Sequence, residues 1–104
     1  MRKRSFSLST DAVNDLINIY DFIAEQNPTA ARRLVAEIEA KIRDIAISGQ
    51  SGVAREWIRP GLRALPFRDR CIYFRVDDTS LYVLRIVHGK QAIDSDDFEM
   101  GDRT

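Results

Sequence analysis

Two amphipathic helical patterns lie side by side in the sequence, and only Asn27-Pro28 separates them. Ser9, Thr10 and Asp11 are all favoured N-cap residues for the first pattern, and Asn27 can cap the second, which ends at Gly49, a natural C-cap. The apolar face of the first is broad and consists of Ala12, Val13, Leu16, Ile17, Ile19, Tyr20 and Ile23. That of the second consists of Ala31, Leu34, Val35, Ile38, Ile42 and Ile45. Because the break is so short, we expect the two helices to form an antiparallel hairpin.

Short segments with the composition of β-strands flank the hairpin. Before it, Phe6 and Leu8 alternate with serines. After it, candidate strands run from Leu62 to Phe67, from Cys71 to Val76 and from Leu81 to Val87. The polar turns between them are short, which favours antiparallel pairing. The order predicts an α+β fold with an N-terminal strand, an antiparallel helical hairpin and then a three-stranded antiparallel meander.

The segment from Gly49 to Gly61 has no clear periodicity, and we interpret it as a loop that crosses back over the core. It contains Trp57. A tryptophan in a loop can be an exposed anchor for a partner, or it can supply the large side chain that covers a small core. We favour core packing.

The composition is that of one globular domain over residues 1–104, ending in an acidic tail at about 94–104. Of the 104 residues, 44% are hydrophobic and 31% charged, which is too apolar for a disordered chain. Cys71 and His88 are each the only residue of their type, so an internal disulfide and the usual zinc sites are excluded, and no cofactor is expected. No signal-peptide pattern and no membrane span is evident, so we expect a cytoplasmic protein.

The charge of the chain is balanced overall but uneven along its length. Six arginines lie between Arg55 and Arg75, opposed in that stretch only by Glu56 and Asp69. Arginine presents a rigid fork of donors that suits phosphate and carboxylate groups. The alternative is a solvated sheet face on which arginine stems cover apolar surface. The composition alone leaves both interpretations open.

Nucleophilic chemistry has little support in the sequence. If the turn centres on Asp78, Cys71 lies opposite residues near Arg85 and away from His88, so a buried structural cysteine is the preferred interpretation. No serine lies in a G-x-S-x-G elbow, and Gly49 lacks the lysine and spacing of a phosphate-binding loop.

Two long stretches of the chain resemble a known family. They are LSTDAVNDLINIYDFIAEQNPTAARRLVAEI and GLRALPFRDRCIYFRVDDTSLYVLRIVHGK. The residues that carry the resemblance are Ala12, Asp15-Leu16, Ile19, Asn27-Pro28, Ala30-Ala31, Leu62-Arg63, Tyr73 and Leu84 to Gly89. In this order and spacing they are similar to the ParE branch of the RelE/ParE toxins of bacterial type II toxin-antitoxin modules. The resemblance implies a toxin that a cognate antitoxin keeps inactive.

The two branches of this superfamily differ in their targets: ParE-like toxins inhibit DNA gyrase, whereas RelE-like toxins cut mRNA on the ribosome. RNA cleavage needs a base, an acid and cations, and RelE-type enzymes generally place a tyrosine or another acid-base residue near the end of the last strand. This chain has His88-Gly89 there, and Arg63, Arg85 and His88 would be its remaining catalytic candidates. We therefore expect a non-enzymatic gyrase inhibitor, with a RelE-like mRNA interferase as the alternative and a detoxified or antitoxin-titrating homologue third.

The same resemblance implies a ParD-like antitoxin whose disordered segment folds into an apolar groove beside the hairpin, in a complex that can be a hetero-oligomer. Acidic residues of the antitoxin are expected to face the cations of the toxin, and charge reversal at Arg63 and Arg85 is expected to weaken the complex. The candidate antitoxin- or target-binding residues are Arg63, Arg68, Arg70, Arg75, Arg85, His88 and Lys90.

Overall fold

A helical hairpin packs on one face of a five-stranded sheet in the computed structural model, which describes residues 4–48 and 52–89. The elements are β1 (Ser5–Leu8), α1 (Thr10–Ala24), α2 (Pro28–Ser48), β2 (Val53–Ala54), β3 (Arg63–Phe67), β4 (Arg70–Val76) and β5 (Ser80–His88). The strand order in the sheet is β1-β5-β4-β3-β2. The predicted α+β fold, the hairpin and the meander of β3, β4 and β5 are confirmed.

The sheet differs from the predicted one in two respects. β1 pairs with β5 in parallel, so the sheet is mixed. In addition, the segment interpreted wholly as a loop contains the two-residue strand β2, which pairs antiparallel with β3. Two residues are too few for an alternating pattern to be recognised, which is why the sequence did not reveal this strand.

Ser9, one of the three candidates, caps α1, and Asn27 caps α2 as predicted. The Ser9 hydroxyl accepts a hydrogen bond from the Ala12 amide at 3.0 Å, and the Asn27 side-chain oxygen accepts one from the Ala30 amide at 3.0 Å. Pro28 then occupies the first turn of α2, where its missing N–H costs nothing. Gly49, the predicted cap of the other end of α2, lies outside the described residues, as does the acidic tail.

The sheet separates two apolar clusters. The larger lies between the sheet and the hairpin and includes Ile38, Ile42 and Phe74. The smaller lies on the opposite face, beneath the loop that joins β2 to β3, and consists of Ile58, Leu62, Ala64, Tyr73, Leu84 and Val87. The prediction that Trp57 covers the core is wrong, because its side chain is 77% exposed and Ile58 is the residue of this loop that is buried.

The pairing of β4 with β5 contains a register shift between Tyr73 and Phe74. Phe74 pairs with Val83 and Tyr73 with Arg85, so β5 has one extra residue, Leu84, at this point. Cys71 consequently lies opposite Val87, and the prediction that it lies opposite residues near Arg85 is wrong.

The turn between β4 and β5 is closed by an aspartate, as its polar sequence indicates. The Asp77 carboxylate accepts hydrogen bonds from the backbone amides of Thr79 at 2.9 Å and Ser80 at 2.8 Å. These hydrogen bonds favour the charged form and lower the pKa of Asp77.

Neither described helix combines the length and the apolar composition that crossing a bilayer requires.

Replacing Ser9 by alanine is expected to lower the free energy of unfolding by about 2 kcal/mol. The buried Ser9 hydroxyl caps α1 and also donates to the Leu84 carbonyl at 2.7 Å, so its loss leaves two buried backbone groups without partners. Urea denaturation of the Ser9→Ala variant measures this effect. The exposed Ser7→Ala variant is the control, and equal unfolding midpoints for the two variants would contradict the expected role of Ser9.

Candidate functional site

Arg85, a predicted site residue, is bound to the first helix. Its Nε and Nη2 donate to the two carboxylate oxygens of Asp15 at 2.8 and 2.9 Å. The same carboxylate accepts the backbone amide of Ile86 at 2.8 Å. The side chains of Arg85 and Asp15 are only 17% and 12% exposed, so this is a bidentate pair that is largely shielded from water. The guanidinium therefore has a structural partner within the fold.

The position of this ion pair follows from the lengths of the strands. β1 ends at Leu8 beside Val83, but β5 continues to His88. Beyond the end of β1, side chains replace a strand as the neighbour of β5: Ser9 donates to the Leu84 carbonyl, and Asp15 accepts the Ile86 amide. Side chains at the start of α1 thus satisfy backbone groups that would otherwise lack partners.

Arg70 and His88 lie opposite each other at the end of the β4–β5 ladder. They line a groove of about 350 Å³ between this end of the sheet and α1, together with Asn18 and Phe22 of that helix. Arg85 lines the same groove while bound to Asp15. The structure therefore brings three of the predicted cationic residues together here.

Arg63 lies at the far end of the sheet. It pairs with Phe74, and its Nη2 donates to the Gly52 carbonyl at 3.4 Å. Phe74 and Arg70 are four residues apart on β4, which is about 13 Å along the strand. His88 lies on the other side of β4, a further strand spacing away. The fold therefore keeps Arg63 well apart from the Arg70–His88 pair.

Arg75 belongs to the face of the sheet that is turned away from the hairpin. Its guanidinium lies over the Tyr82 ring, 5.1 Å from the centroid, in a cation–π contact. Together with Arg59 it lines a recess of about 250 Å³ beside Pro60, Leu62 and Leu84. This recess is next to the loop that carries Trp57, and it combines arginine stems with apolar walls.

The last two predicted cations fall elsewhere. Arg68 has a positive φ of 55° in the turn between β3 and β4, and its Nε forms an ion pair with Glu37 of α2 at 2.8 Å. Lys90 lies outside the described residues. The predicted cationic residues of the described part of the chain are thus distributed over several places and do not share one sheet face.

Cys71 is half-buried at the edge of the smaller apolar cluster. Burial raises the pKa of its thiol, although a hydrogen bond with Tyr73 acts in the opposite direction. A raised pKa keeps the sulfur protonated and weakly nucleophilic at neutral pH. His88 stands one position further along β5 than Val87, the partner of Cys71, and successive residues point to opposite faces. Within the described residues, no three His, Cys, Asp or Glu side chains gather as a metal site requires.

The outer side of the hairpin carries an apolar groove that the sequence indicated only in part. The broad apolar face of α1 was expected to pack against α2 and the sheet, yet Val13 is 43% and Ile17 51% exposed. They line a groove of about 400 Å³ between the helices. Its other lining residues are Leu8, Leu16, Tyr20, Val35 and Glu39. The signal in the sequence was the width of the apolar face, which exceeds what one side of a helix can bury.

The comparison with known families concerns nearly the whole chain. The family model of the ParE toxin of the type II toxin-antitoxin system parDE matches residues 6–93. The chain belongs to the ParE toxin family. A solved structure of the chromosomal ParDE toxin-antitoxin system from P. aeruginosa is 26% identical, with a TM-score of 0.70 over 82% of this chain and 95% of the other.

A more distant structure shares the fold of this ParE-family toxin. It is the RelBE2 toxin-antitoxin complex from Mycobacterium tuberculosis, which is 18% identical, with a TM-score of 0.53 over 83% of this chain and 98% of the other. At this identity the likeness concerns the fold alone. No curated protein matches the toxin sequence.

An Arg85→Ala variant of the toxin is expected to lose about 3 kcal/mol of folding free energy, because Asp15 then remains largely buried without its counter-charge. The matched control is Arg68→Ala. It removes an ion pair whose side chains are 57% and 34% exposed, and it should cost no more than about 1 kcal/mol. Urea denaturation of both variants tests the difference. Equal losses would show that Arg85 does not hold α1 on β5.

Proposed function

We propose that this ParE-family toxin acts in the cytoplasm by binding and inhibiting DNA gyrase, without cleaving nucleic acid, and that a ParD-like antitoxin neutralises it. The observation that favours a binding mechanism is that Arg63 lies far from the groove that Arg85 and His88 share, while Arg85 is bound to Asp15. Arg63, Arg85 and His88 are the candidates for a RelE-like ribonuclease site, and the fold does not bring Arg63 to the other two.

The separation matters because RNA cleavage requires concerted contacts at a single phosphate. A general base must reach the 2′-hydroxyl, an acid must reach the leaving oxygen, and cations must lie about 3 Å from the developing charge. Arg63 lies about 13 Å along the sheet from the Arg70–His88 pair, and Arg85 is bound to Asp15. This arrangement favours a recognition surface over a catalytic cluster.

The apolar groove of the hairpin supports an antitoxin partner of defined chemistry. An amphipathic helix that inserts apolar residues at helical spacing would bury the exposed sides of Val13 and Ile17. Glu39 at the rim favours a lysine or arginine on that helix. The structural relative from P. aeruginosa is itself a toxin-antitoxin system, which is consistent with such a partner. We therefore propose the hairpin as the principal antitoxin contact, without a contribution from Arg85, whose guanidinium is bound to Asp15.

The purified toxin is expected to inhibit ATP-dependent supercoiling by gyrase, and its controlled expression should cause filamentation and a DNA-damage response. A supercoiling assay with relaxed plasmid checks the first outcome, with the toxin–antitoxin complex as the inactive control. Undisturbed supercoiling together with mRNA cleavage in a translating extract would assign the toxin to the RelE-like alternative.

A His88→Ala variant is expected to remain toxic, because a binding mechanism requires no proton carrier at this exposed position. The measurement is growth arrest after induction, with circular dichroism to verify folding. A folded variant without toxicity would favour catalysis.

An Ile17→Glu variant should bind the antitoxin at least about tenfold more weakly, because a carboxylate would then lie within the apolar groove. The side chain is half-exposed, so the variant should fold. Isothermal titration calorimetry measures the affinity, and the neighbouring exposed substitution Asn14→Glu is the control for added charge on α1. Equal affinities for the two variants would place the antitoxin elsewhere.

A further inference from the structure

The loop between β2 and β3 presents Trp57, the only tryptophan of the chain, almost completely to solvent. Its 77% exposure is unusual for a side chain that can bury about 150–250 Å² of largely apolar surface. Val53, on the adjoining strand β2, is 51% exposed as well. Two exposed apolar side chains within four residues of each other in the sequence are a feature of interaction sites.

The backbone of this loop is held in one conformation by its own hydrogen bonds. The Arg55 amide donates to the Leu62 carbonyl at 2.8 Å and closes the loop at its base, while the Ile58 amide donates to the Arg55 carbonyl at 2.9 Å. Both carboxylate oxygens of Glu56 accept the Gly61 amide at 3.1 Å. Little backbone entropy would therefore be lost when a partner binds, which favours affinity.

The core does not need Trp57. Ile58 and Leu62 are the inward-facing residues of the loop, and both are buried in the smaller apolar cluster. Tryptophan at this position therefore contributes little to the packing of the free toxin. Tryptophan is also the residue type most enriched among those that dominate the energy of protein interfaces.

The charges around Trp57 indicate the chemistry of the partner. Arg55 and Arg59 lie two residues before and after it, while the acidic Glu56 is engaged by the Gly61 amide. Beside the loop, Arg59 and Arg75 border the recess that has Leu62 and Leu84 as apolar walls. A complementary surface would combine an apolar pocket for the indole with carboxylates at its rim.

We propose that the loop from Arg55 to Leu62 is the surface with which the toxin engages its target protein, and that Trp57 inserts into an apolar pocket rimmed by carboxylates. This inference rests on the proposed function, in which the toxin acts by binding a protein. The apolar recess favours a protein pocket over a single-stranded nucleic acid, which would stack a base on the indole. The loop lies on the sheet face away from the hairpin groove, so it is a site separate from the proposed antitoxin contact.

The test compares Trp57→Ala with wild type in three assays. The variant should inhibit gyrase supercoiling at least about 30-fold more weakly and should no longer arrest growth, as expected for loss of an interface hot spot. Its affinity for the antitoxin should change by less than about twofold, since the hairpin groove is intact. Ile47→Ala, which removes another exposed apolar side chain, is the control and should behave like wild type. Full inhibition and toxicity of Trp57→Ala would overturn the proposal.

Charge at the same position tests the carboxylate rim. Trp57→Glu should inhibit supercoiling and arrest growth less strongly than Trp57→Lys, because the carboxylates at the rim of the partner's pocket would repel glutamate. The reverse order would overturn the acidic chemistry assigned to the partner. Both substitutions lie at an exposed position, so both variants should fold, which thermal unfolding verifies.

A 5-fluorotryptophan label observes the contact directly, because a single tryptophan yields a single ¹⁹F resonance. This resonance should shift when unlabelled gyrase is added and should stay in place when a single-stranded oligonucleotide is added. An equal response to the oligonucleotide would overturn the assignment to a protein partner.

The growth-arrest assay separates this inference from the proposed function. If the wild-type toxin arrests growth without inhibiting gyrase, gyrase inhibition is refuted, but the loop is still under test. Loss of toxicity in Trp57→Ala then supports the loop as the target surface, whereas retained toxicity refutes it.

Discussion

The contact of Asp15 with Arg85 and with the Ile86 amide determines how the helical hairpin lies on the sheet. β5 is longer than its neighbour β1, so half of its outer edge needs partners that β1 does not supply. Ser9 and Asp15 provide them, the first at the cap of α1 and the second in the second turn of that helix. A carboxylate that is 12% exposed is tolerated at this position because a guanidinium and a backbone amide share its charge. These contacts therefore join three segments into one unit: the end of β1, the start of α1 and the second half of β5.

The contacts within this unit show that the arginines of the sequence do not all belong to a recognition surface. Arg85 lies on a strand, where an exposed cation suggests a recognition surface, but its guanidinium stabilises the packing of α1. Arg68 similarly joins the turn after β3 to Glu37 of α2, and Arg75 lies over Tyr82. Each of these cations makes a contact within the fold, so the number of arginines overstates how much of the sheet is available for a ligand. The surfaces that stand out are instead apolar: the groove of the hairpin and the loop that carries Trp57.

The sequence predicted the elements with strong local signals. The helical spacing of Ala31 to Ile45, the cap candidate Ser9 and the apolar run from Cys71 to Val76 each correspond to an element of the structure. The differences arise where the determining interaction is non-local. The parallel pairing of β1 with β5 joins residues about 75 positions apart in the chain, and the extra residue at Leu84 shifts the register by one, which no turn position reveals. The burial predicted for Trp57 is found instead at its neighbour Ile58.

A structure that is only 18% identical shares the architecture, so the architecture alone does not specify what the toxin binds. The target must then be encoded in side chains that the architecture does not require. The architecture requires the residues that complete the edge of β5, which are Ser9, Asp15 and Arg85, and it requires the buried residues of both clusters for packing. It does not require apolar side chains at Val13, Ile17 and Trp57. Each of these leaves apolar surface in water, and a polar residue could replace it without loss of packing. Under the two proposals, the toxin would meet its antitoxin and its target through different surfaces, one on the hairpin and the other on the opposite side of the sheet.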